Sequence, residues 1–312
     1  MKLDYREITR GLKFPEGPIA MADGSVLVVE IEGGRLIRVL RDGTKAVAAE
    51  LGGGPNGAAI GPDGLCYVCN NGGFNWIHHD DGFSRPHGRA DRYTGGSIQR
   101  VDLVTGAVET LYTECDGNPI MGPNDIVFDG KGGFWFTDHG KSYDRLMDRG
   151  ALYYAALDGS FIREAAFPVI TPNGCGLSPD GRTLYASETE TGRLWAWPIT
   201  GRGELAKEAW PSPHGGRFVG GSQGYQRFDS MAVEANGNIC VASLVHGGIS
   251  VFSPEGGLIE FHEAPEPYCT NICFGGPDMR TAYITLSGYG MLVAVDWPRP
   301  GLPLVHQGYV PG

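Results

Sequence analysis

The chain has 312 residues, 41% of them hydrophobic, with 25 Lys and Arg against 36 Asp and Glu for a net charge of −11. That balance excludes a protein held to nucleic acid by phosphate electrostatics, and no basic stripe offsets it. The 50 glycines and 21 prolines follow no G-X-Y period, so they mark turns between short strands rather than disorder or collagen.

From Phe14 onward one short unit recurs six times: a polar residue, an apolar strand, a turn and a second apolar strand. In chain order the copies begin Phe14-Pro15-Glu16-Gly17, Pro55-Asn56-Gly57, Pro123-Asn124-Asp125, Pro172-Asn173-Gly174, Phe228-Asp229-Ser230 and Thr270-Asn271-Ile272. Asp23-Gly24, Pro62-Asp63-Gly64, Asp180-Gly181 and Asn236-Gly237 then turn into second strands such as Val26-Leu27-Val28-Val29 and Ile239-Cys240-Val241-Ala242. Asp-Gly and Asn-Gly between apolar runs are hairpin signals, because their turns need positive φ. A period of this size predicts a propeller. Six copies in 312 residues leave 52 each, enough for four strands. The expected fold is all-β, one six-bladed β-propeller domain over residues 1–312, with the last blade completed by residues 4–8 or by residues 304–310.

Two stretches exceed what blades need: residues 71–96 and residues 212–227. Loops of that length are usually functional, and both are expected near the channel mouth. The first carries Phe74, Trp76, His78, His79, Phe83, His87 and Tyr93, so Trp76 and His78 are candidate substrate contacts. Each His has the competing reading of packing its loop or facing solvent. The seven cysteines suit buried, reduced thiols; Cys66 and Cys69, three apart on a strand, face opposite sides and cannot chelate together. Residues 1–7 lack the apolar core of a signal peptide and no stretch is long enough to cross a bilayer, so a cytoplasmic location without membrane or nucleic-acid partners is expected.

The repeated polar residue carries the chemistry. If it begins each innermost strand, then Glu16, Asn56, Asn124, Asn173, Asp229 and Asn271 ring one end of the channel. Two carboxylates and four amides make an all-oxygen set, which suits one divalent cation, Ca2+ first, with Mn2+, Mg2+, Fe2+ or Zn2+ as alternatives. For any single Asn or Asp a turn role is the simpler reading. It explains neither Glu16 nor the recurrence of polarity where a channel would otherwise collect unpaired buried groups.

Several stretches carry a family resemblance: Gly122-Pro123-Asn124-Asp125-Ile126-Val127-Phe128, Pro172-Asn173-Gly174-Cys175-Gly176-Leu177, Asn271-Ile272-Cys273-Phe274-Gly275-Gly276-Pro277-Asp278 and Phe14-Pro15-Glu16-Gly17-Pro18. Together they resemble the senescence marker protein-30/gluconolactonase family. The resemblance implies a metal-dependent lactone hydrolase with a small-molecule lactone substrate. It implies metal binding by Glu16, Asn173 and Asp229, metal or substrate contact by Asn124, and Asp229 as general base. Asn56, from its place in the ring, is expected to help orient substrate. Ser230 follows Asp229 where the family motif has Gly. An aryl esterase or phosphotriesterase on the same scaffold, or a propeller that only binds metal, are the competing readings.

Overall fold

A computed structural model describes residues 3–305. Its described residues form strands arranged as six antiparallel sheets around a central channel. Blade 1 holds Pro15–Ala20, Val26–Glu30, Arg35–Val39 and Lys45–Glu50, from the channel outward. Blade 2 holds Pro55–Ile60, Cys66–Asn70, Ser97–Val101 and Val108–Tyr112. Blade 3 holds Pro123–Phe128, Gly133–Asp138, Gly150–Ala156 and Ile162–Val169. Blade 4 holds Pro172–Leu177, Thr183–Glu188, Arg193–Gly201 and Arg217–Gly221, and blade 5 Arg227–Val233, Ile239–Leu244, Gly248–Phe252 and Leu258–Glu263. Every inner strand packs against the inner strands of its two neighbours, and the circle closes between blades 6 and 1.

Blade 6 combines Cys269–Gly275, Thr281–Leu286 and Met291–Asp296 with Arg6–Thr9 from the start of the chain. Of the two candidate closures, the N-terminal segment therefore completes the last blade. Leu304 and Val305 lie outside any strand, and the rest of the alternative, residues 306–310, falls outside the described residues. The long stretch expected over residues 212–227 is also corrected: Arg217–Gly221 is the outer strand of blade 4, paired with Arg193–Gly201. The alternation of Gly and apolar residues there hid a strand inside a segment that reads as loop.

The predicted turns form as expected, with Gly24 at φ 81° and Gly64 at φ 76°. The hydrophobic core is divided into six clusters, one at each blade interface. Between blades 3 and 4, for example, Trp135, Leu152 and Tyr154 pack on Leu184, Ala186 and Trp197. This is why the second strands are largely apolar until their last residues: a strand buried between two sheets has no solvated face. All seven cysteines are buried and free, as expected for reduced thiols. No helix among the described residues is long and apolar enough to cross a membrane.

Candidate metal and substrate site

Each inner strand breaks register at its start. The slips fall between Glu16 and Ile19, Pro55 and Ala58, Pro123 and Ile126, Pro172 and Cys175, Phe228 and Met231, and Cys269 and Asn271. A bulge re-aims side chains that a regular pleat would alternate across the sheet. The repeated polar residue sits at or beside this bulge in all six blades. The residue after it meets the next blade: a Cβ on Gly17, at φ +52°, would lie 2.5 Å from the Asn56 carbonyl oxygen, and one on Gly57 would lie 2.4 Å from that of Asn124.

The last residue of the second strand fixes the loop that delivers the polar residue. Glu30 accepts from Lys13 N at 2.9 Å, and Asn70 Oδ1 accepts from Gly54 N at 2.9 Å. Asp138 accepts from Met121 N and Gly122 N, both at 2.7 Å, and Glu188 accepts from Ile170 N at 3.0 Å. Hydroxyls tie neighbouring blades together. Thr137 Oγ1 accepts from Asp125 N and donates to the Asn173 carbonyl, while Ser187 Oγ accepts from Gly174 N and donates to the Asp229 carbonyl. Ring positions are thus set by bonds inside and between blades, not by flexible loops.

Five of the six ring residues, Glu16, Asn56, Asn124, Asn173 and Asp229, line one cavity of about 280 Å³ at the channel mouth. Asn271 does not line it. Its Nδ2 donates to Glu16 Oε2 at 2.7 Å and its Oδ1 accepts from Ile272 N at 2.8 Å, so both ends of this amide are committed. It positions Glu16 rather than offering an oxygen. Asn173 Nδ2 donates to Thr189 Oγ1 at 3.0 Å, leaving its Oδ1 only a long 3.4 Å contact from Ser230 Oγ. Asn124 is 6% exposed, and its Oδ1 is buried without any partner.

Burial raises the Glu16 carboxyl above its ordinary range. Asp229 is pushed well up, by burial first and then by the charge of Glu16. A third carboxylate, Asp125, lies immediately beyond the ring and is pushed up to about 7 by burial, opposed by a bond from Ile126 N and reinforced by Glu16. Gathered anions and an orphaned amide oxygen are the arrangement a cation would satisfy. Among the described residues no group of three or more His, Cys, Asp or Glu makes a metal site by itself. The donor set that fits is the mixed one: Glu16, Asn124, Asn173 and Asp229, all oxygen, as a hard divalent ion prefers.

Residues 71–96 arch over this cavity as a hairpin of Phe74–His78 and Ser84–Arg89. Its base is held by buried Lys141, whose Nζ donates to Asn71 Oδ1 and the Gly73 carbonyl, each at 3.0 Å, and lies 4.0 Å from the Phe74 ring centre. Its tip reaches blade 6, where Ser84 N donates to the Gly288 carbonyl at 2.8 Å and Phe83 packs on Tyr268 and Tyr289, both at 5.2 Å. The expected placement at the mouth is therefore realised, but different residues face inward. Phe74, Arg85, Pro86 and His87 line the cavity. Trp76 packs on Phe14 at 5.0 Å, and His78 bonds Ser84 Oγ and pairs with Glu32 with a side chain 58% exposed; neither lines the cavity.

Sequence reasoning also missed Asp125, His139, Arg227 and Tyr268. Asp125 had a signal: it holds a carboxylate at the repeat position where Gly17, Gly57 and Gly174 stand. His139 lines the cavity just past Asp138, and burial pushes its imidazole down to about 4, so it is neutral there. Arg227 begins the inner strand of blade 5 and Tyr268 precedes that of blade 6, at repeat positions where the other blades carry no shared residue type. A second cavity, about 300 Å³ at the other end of the channel, borders Asp125 and Asn271 but none of the other ring residues.

Three comparisons bear on this arrangement. The lactonase drp35 of Staphylococcus haemolyticus is 27% identical over 243 residues, covering 77% of this chain and 66% of that protein. Diisopropyl-fluorophosphatase of Loligo vulgaris is 28% identical over 207 residues, covering 62% of this chain and 63% of its own length. These matches span about two thirds of the length of each curated relative. The structure of a gluconolactonase from Xanthomonas campestris superposes with a TM-score of 0.73 at 22% identity, over 95% of this chain and 90% of that one, a likeness of fold. The family model described as SMP-30/Gluconolactonase/LRE-like region matches residues 14–288, which takes in every ring position and the hairpin above them. The chain belongs to the SMP-30/gluconolactonase/LRE-like family.

Proposed function

We propose that the protein is a metal-dependent hydrolase that opens a sugar or related small lactone at the channel mouth. The observation that carries this reading is the partnerless, buried Oδ1 of Asn124 in a cavity shared with Glu16, Asn173 and Asp229. Relatives named as lactonases support the reaction class. Glu16, Asn124, Asn173 and Asp229 would hold one divalent cation, with Ca2+ the first choice for an all-oxygen set. Such an ion, when bound, supplies Lewis acidity toward a carbonyl oxygen and acidifies water.

The chain's own groups supply the rest. Asp229 takes the proton from the attacking water as it adds to the lactone carbonyl carbon. The acyl C–O bond then breaks and the ring oxygen leaves as a hydroxyl, receiving that proton back from Asp229. Asn56 orients the substrate from the cavity wall, and Asn124 does so with whatever amide capacity the ion leaves free. The hairpin limits water entry above. Asn271 holds Glu16 in place throughout. Buried free thiols suit a reducing compartment, consistent with a cytoplasmic enzyme.

The likeness to a fluorophosphatase favours one second reading, a phosphotriester or aryl ester hydrolase using the same donors. A pH-stat panel of aldonolactones, aryl esters and phosphotriesters separates the two. Lactone turnover that falls with chelation, returns with Ca2+ and drops ~10²–10³-fold in Asp229→Asn supports the proposal. Equal lactone turnover by wild type and Asp229→Asn, or by chelated and loaded protein, would overturn it.

A further inference from the structure

We infer that the mouth takes a lactone that carries an oxyanion group, such as a carboxylate, sulfonate or phosphate, held on the rim by Arg85 and Arg227. This rests on the lactone-hydrolase reading and adds its substrate class.

The chain is acidic overall, with a net charge of −11, yet the rim of this cavity presents two guanidinium groups. Arg85 comes from the covering hairpin and Arg227 from the first residue of blade 5. Arg85 is half-buried and has no hydrogen-bond or ion-pair partner among the described residues. Arg227 Nη2 donates to Glu190 Oε2 at 3.0 Å, but its Nε is buried without a partner. Both charges act on the hydroxyl of Tyr268, as does the Asp229 carboxylate, so the two guanidinium groups are near one lining residue of the cavity. The cavity is also lined by His87 and by Glu190, the carboxylate that Arg227 bonds.

A buried donor left unpaired costs free energy that a bound acceptor restores. Guanidinium donors form a planar fork that matches carboxylates, sulfonates and phosphates, and such charge-assisted bonds are about twice as strong as neutral ones. A neutral sugar lactone would leave Arg85 without a charged partner and Arg227 with only Glu190. Glu16 and Asp229 line the same cavity and repel an anion. The charged end of the substrate therefore lies at the guanidinium forks and the lactone carbonyl toward the ring. Placement by two forks costs less ordering than placement by hydroxyls alone.

The test is steady-state hydrolysis by the Ca2+-loaded full chain of a matched pair, a neutral aldonolactone and an aldarolactone of the same ring size bearing a terminal carboxylate. Sulfonate- and phosphate-bearing lactones form two further arms that separate the anion types. The expected result is a preference in kcat/KM of ~10-fold or more for at least one anionic arm. Arg85→Gln and Arg227→Gln should each reduce that preference by about 10-fold, mainly through KM, with Arg85→Lys retaining part of it. The preference should also shrink as NaCl is raised, since the rim is open to screening. Because Arg227 pairs with Glu190, melting curves accompany its variant, and Arg85→Gln stands as the variant free of that contact. No preference for any anionic arm, or a preference unchanged in both variants, overturns the anion subsite and leaves the hydrolase reading standing. If no lactone is turned over, the hydrolase reading fails and the subsite is judged by calorimetry with the ring-opened dicarboxylate. Binding that weakens in Arg85→Gln keeps the subsite; absence of binding overturns it.

Discussion

Asn271 donates Nδ2 to Glu16 Oε2 at 2.7 Å, joining the last blade to the first across 255 residues of chain. The same seam is sewn by Ser287 Oγ, which donates to the Pro15 carbonyl, and by Arg6–Thr9 pairing with the third strand of blade 6. The contact that closes the circle of blades is therefore also the one that orients the Glu16 carboxylate.

Asn271→Ala tests that link. It removes a donor to a buried carboxylate whose ionised form burial already disfavours. The expected loss is about 1.5–3 kcal/mol of unfolding free energy, read from the urea midpoint of chelated protein at pH 7.5. Asn271→Asp should lose more, because it sets a like charge against Glu16, and added Ca2+ should recover part of the difference. A midpoint unmoved in Asn271→Ala contradicts the seam.

Asn124→Leu gives the opposite pattern. The wild-type amide oxygen is buried and partnerless, so a similar-sized apolar side chain removes a penalty rather than a bond. The chelated variant should be at least as stable as chelated wild type. The Ca2+-dependent rise in melting temperature, worth about 2.7 kcal/mol at a hundred times the dissociation constant, should largely vanish in the variant. Differential scanning fluorimetry with and without Ca2+ measures both. A chelated variant well below wild type, or an intact Ca2+ response, contradicts the role given to this oxygen.

Much of the fold was legible because the same physical demand recurs six times. A strand buried between blades must be apolar, its hairpin must supply positive φ, and the bulge at the channel must carry a residue that tolerates the re-aimed backbone. Glu16, Asn56, Asn124, Asn173 and Asp229 were readable for that reason, and they do share one cavity. Asn271 obeys the repeat but not the ring, because its amide is used up by Glu16 and Ile272, a choice made by contacts 255 residues apart in sequence. The rim was not legible. Arg227 and His139 stand at repeat positions that other blades fill with Gly54, Gly122 and Thr171, or with Ile31, Asn71 and Thr189, so no shared residue type marked them, and Trp76 and His78 looked equivalent to Phe74 and His87 until the hairpin's register fixed which of them face inward.

Glu266 gives a pH-dependent handle away from the ring. It accepts from Gly288 N at 2.8 Å and Tyr289 N at 3.2 Å, beneath the point where the hairpin tip docks. Burial outweighs those two bonds and pushes its carboxyl up to about 7 from 4.5. A carboxyl raised on folding contributes fully below its unfolded value and loses that contribution as pH rises through its folded value. Stability due to this group should therefore decline between about pH 4.5 and pH 7. Glu266→Gln removes the charge but leaves one oxygen to accept where Glu266 uses two, so it should start below wild type near pH 5. Relative to wild type it should then gain roughly 2–3 kcal/mol by pH 8. Chemical denaturation across that range decides it; parallel curves for the two proteins would contradict burial as the dominant influence.

Phe83 is the anchor of the hairpin tip, with ring contacts to Tyr268 and Tyr289 and an edge against Gly288. The base of the hairpin has separate fastenings at Lys141, Asn71 and Gly73. Phe83→Ala should therefore free the tip without releasing the base or disturbing any blade core. The amide of Ser84, which donates to the Gly288 carbonyl, should exchange with solvent ~10-fold or more faster, since its protection depends on the docked tip. Global melting should fall by only about 1 kcal/mol or less, because the ring sits on an intermediate surface rather than in a blade interface. Lactone hydrolysis should lose mainly in KM, as Arg85 and Pro86 swing away from the cavity they line. Hydrogen exchange by mass spectrometry over residues 74–89, run beside kinetics, separates tip from base. If Ser84 stays protected in Phe83→Ala, the tip is held by the backbone bond alone; if amides throughout blades 1 and 6 also open, the hairpin is a structural brace rather than a cover.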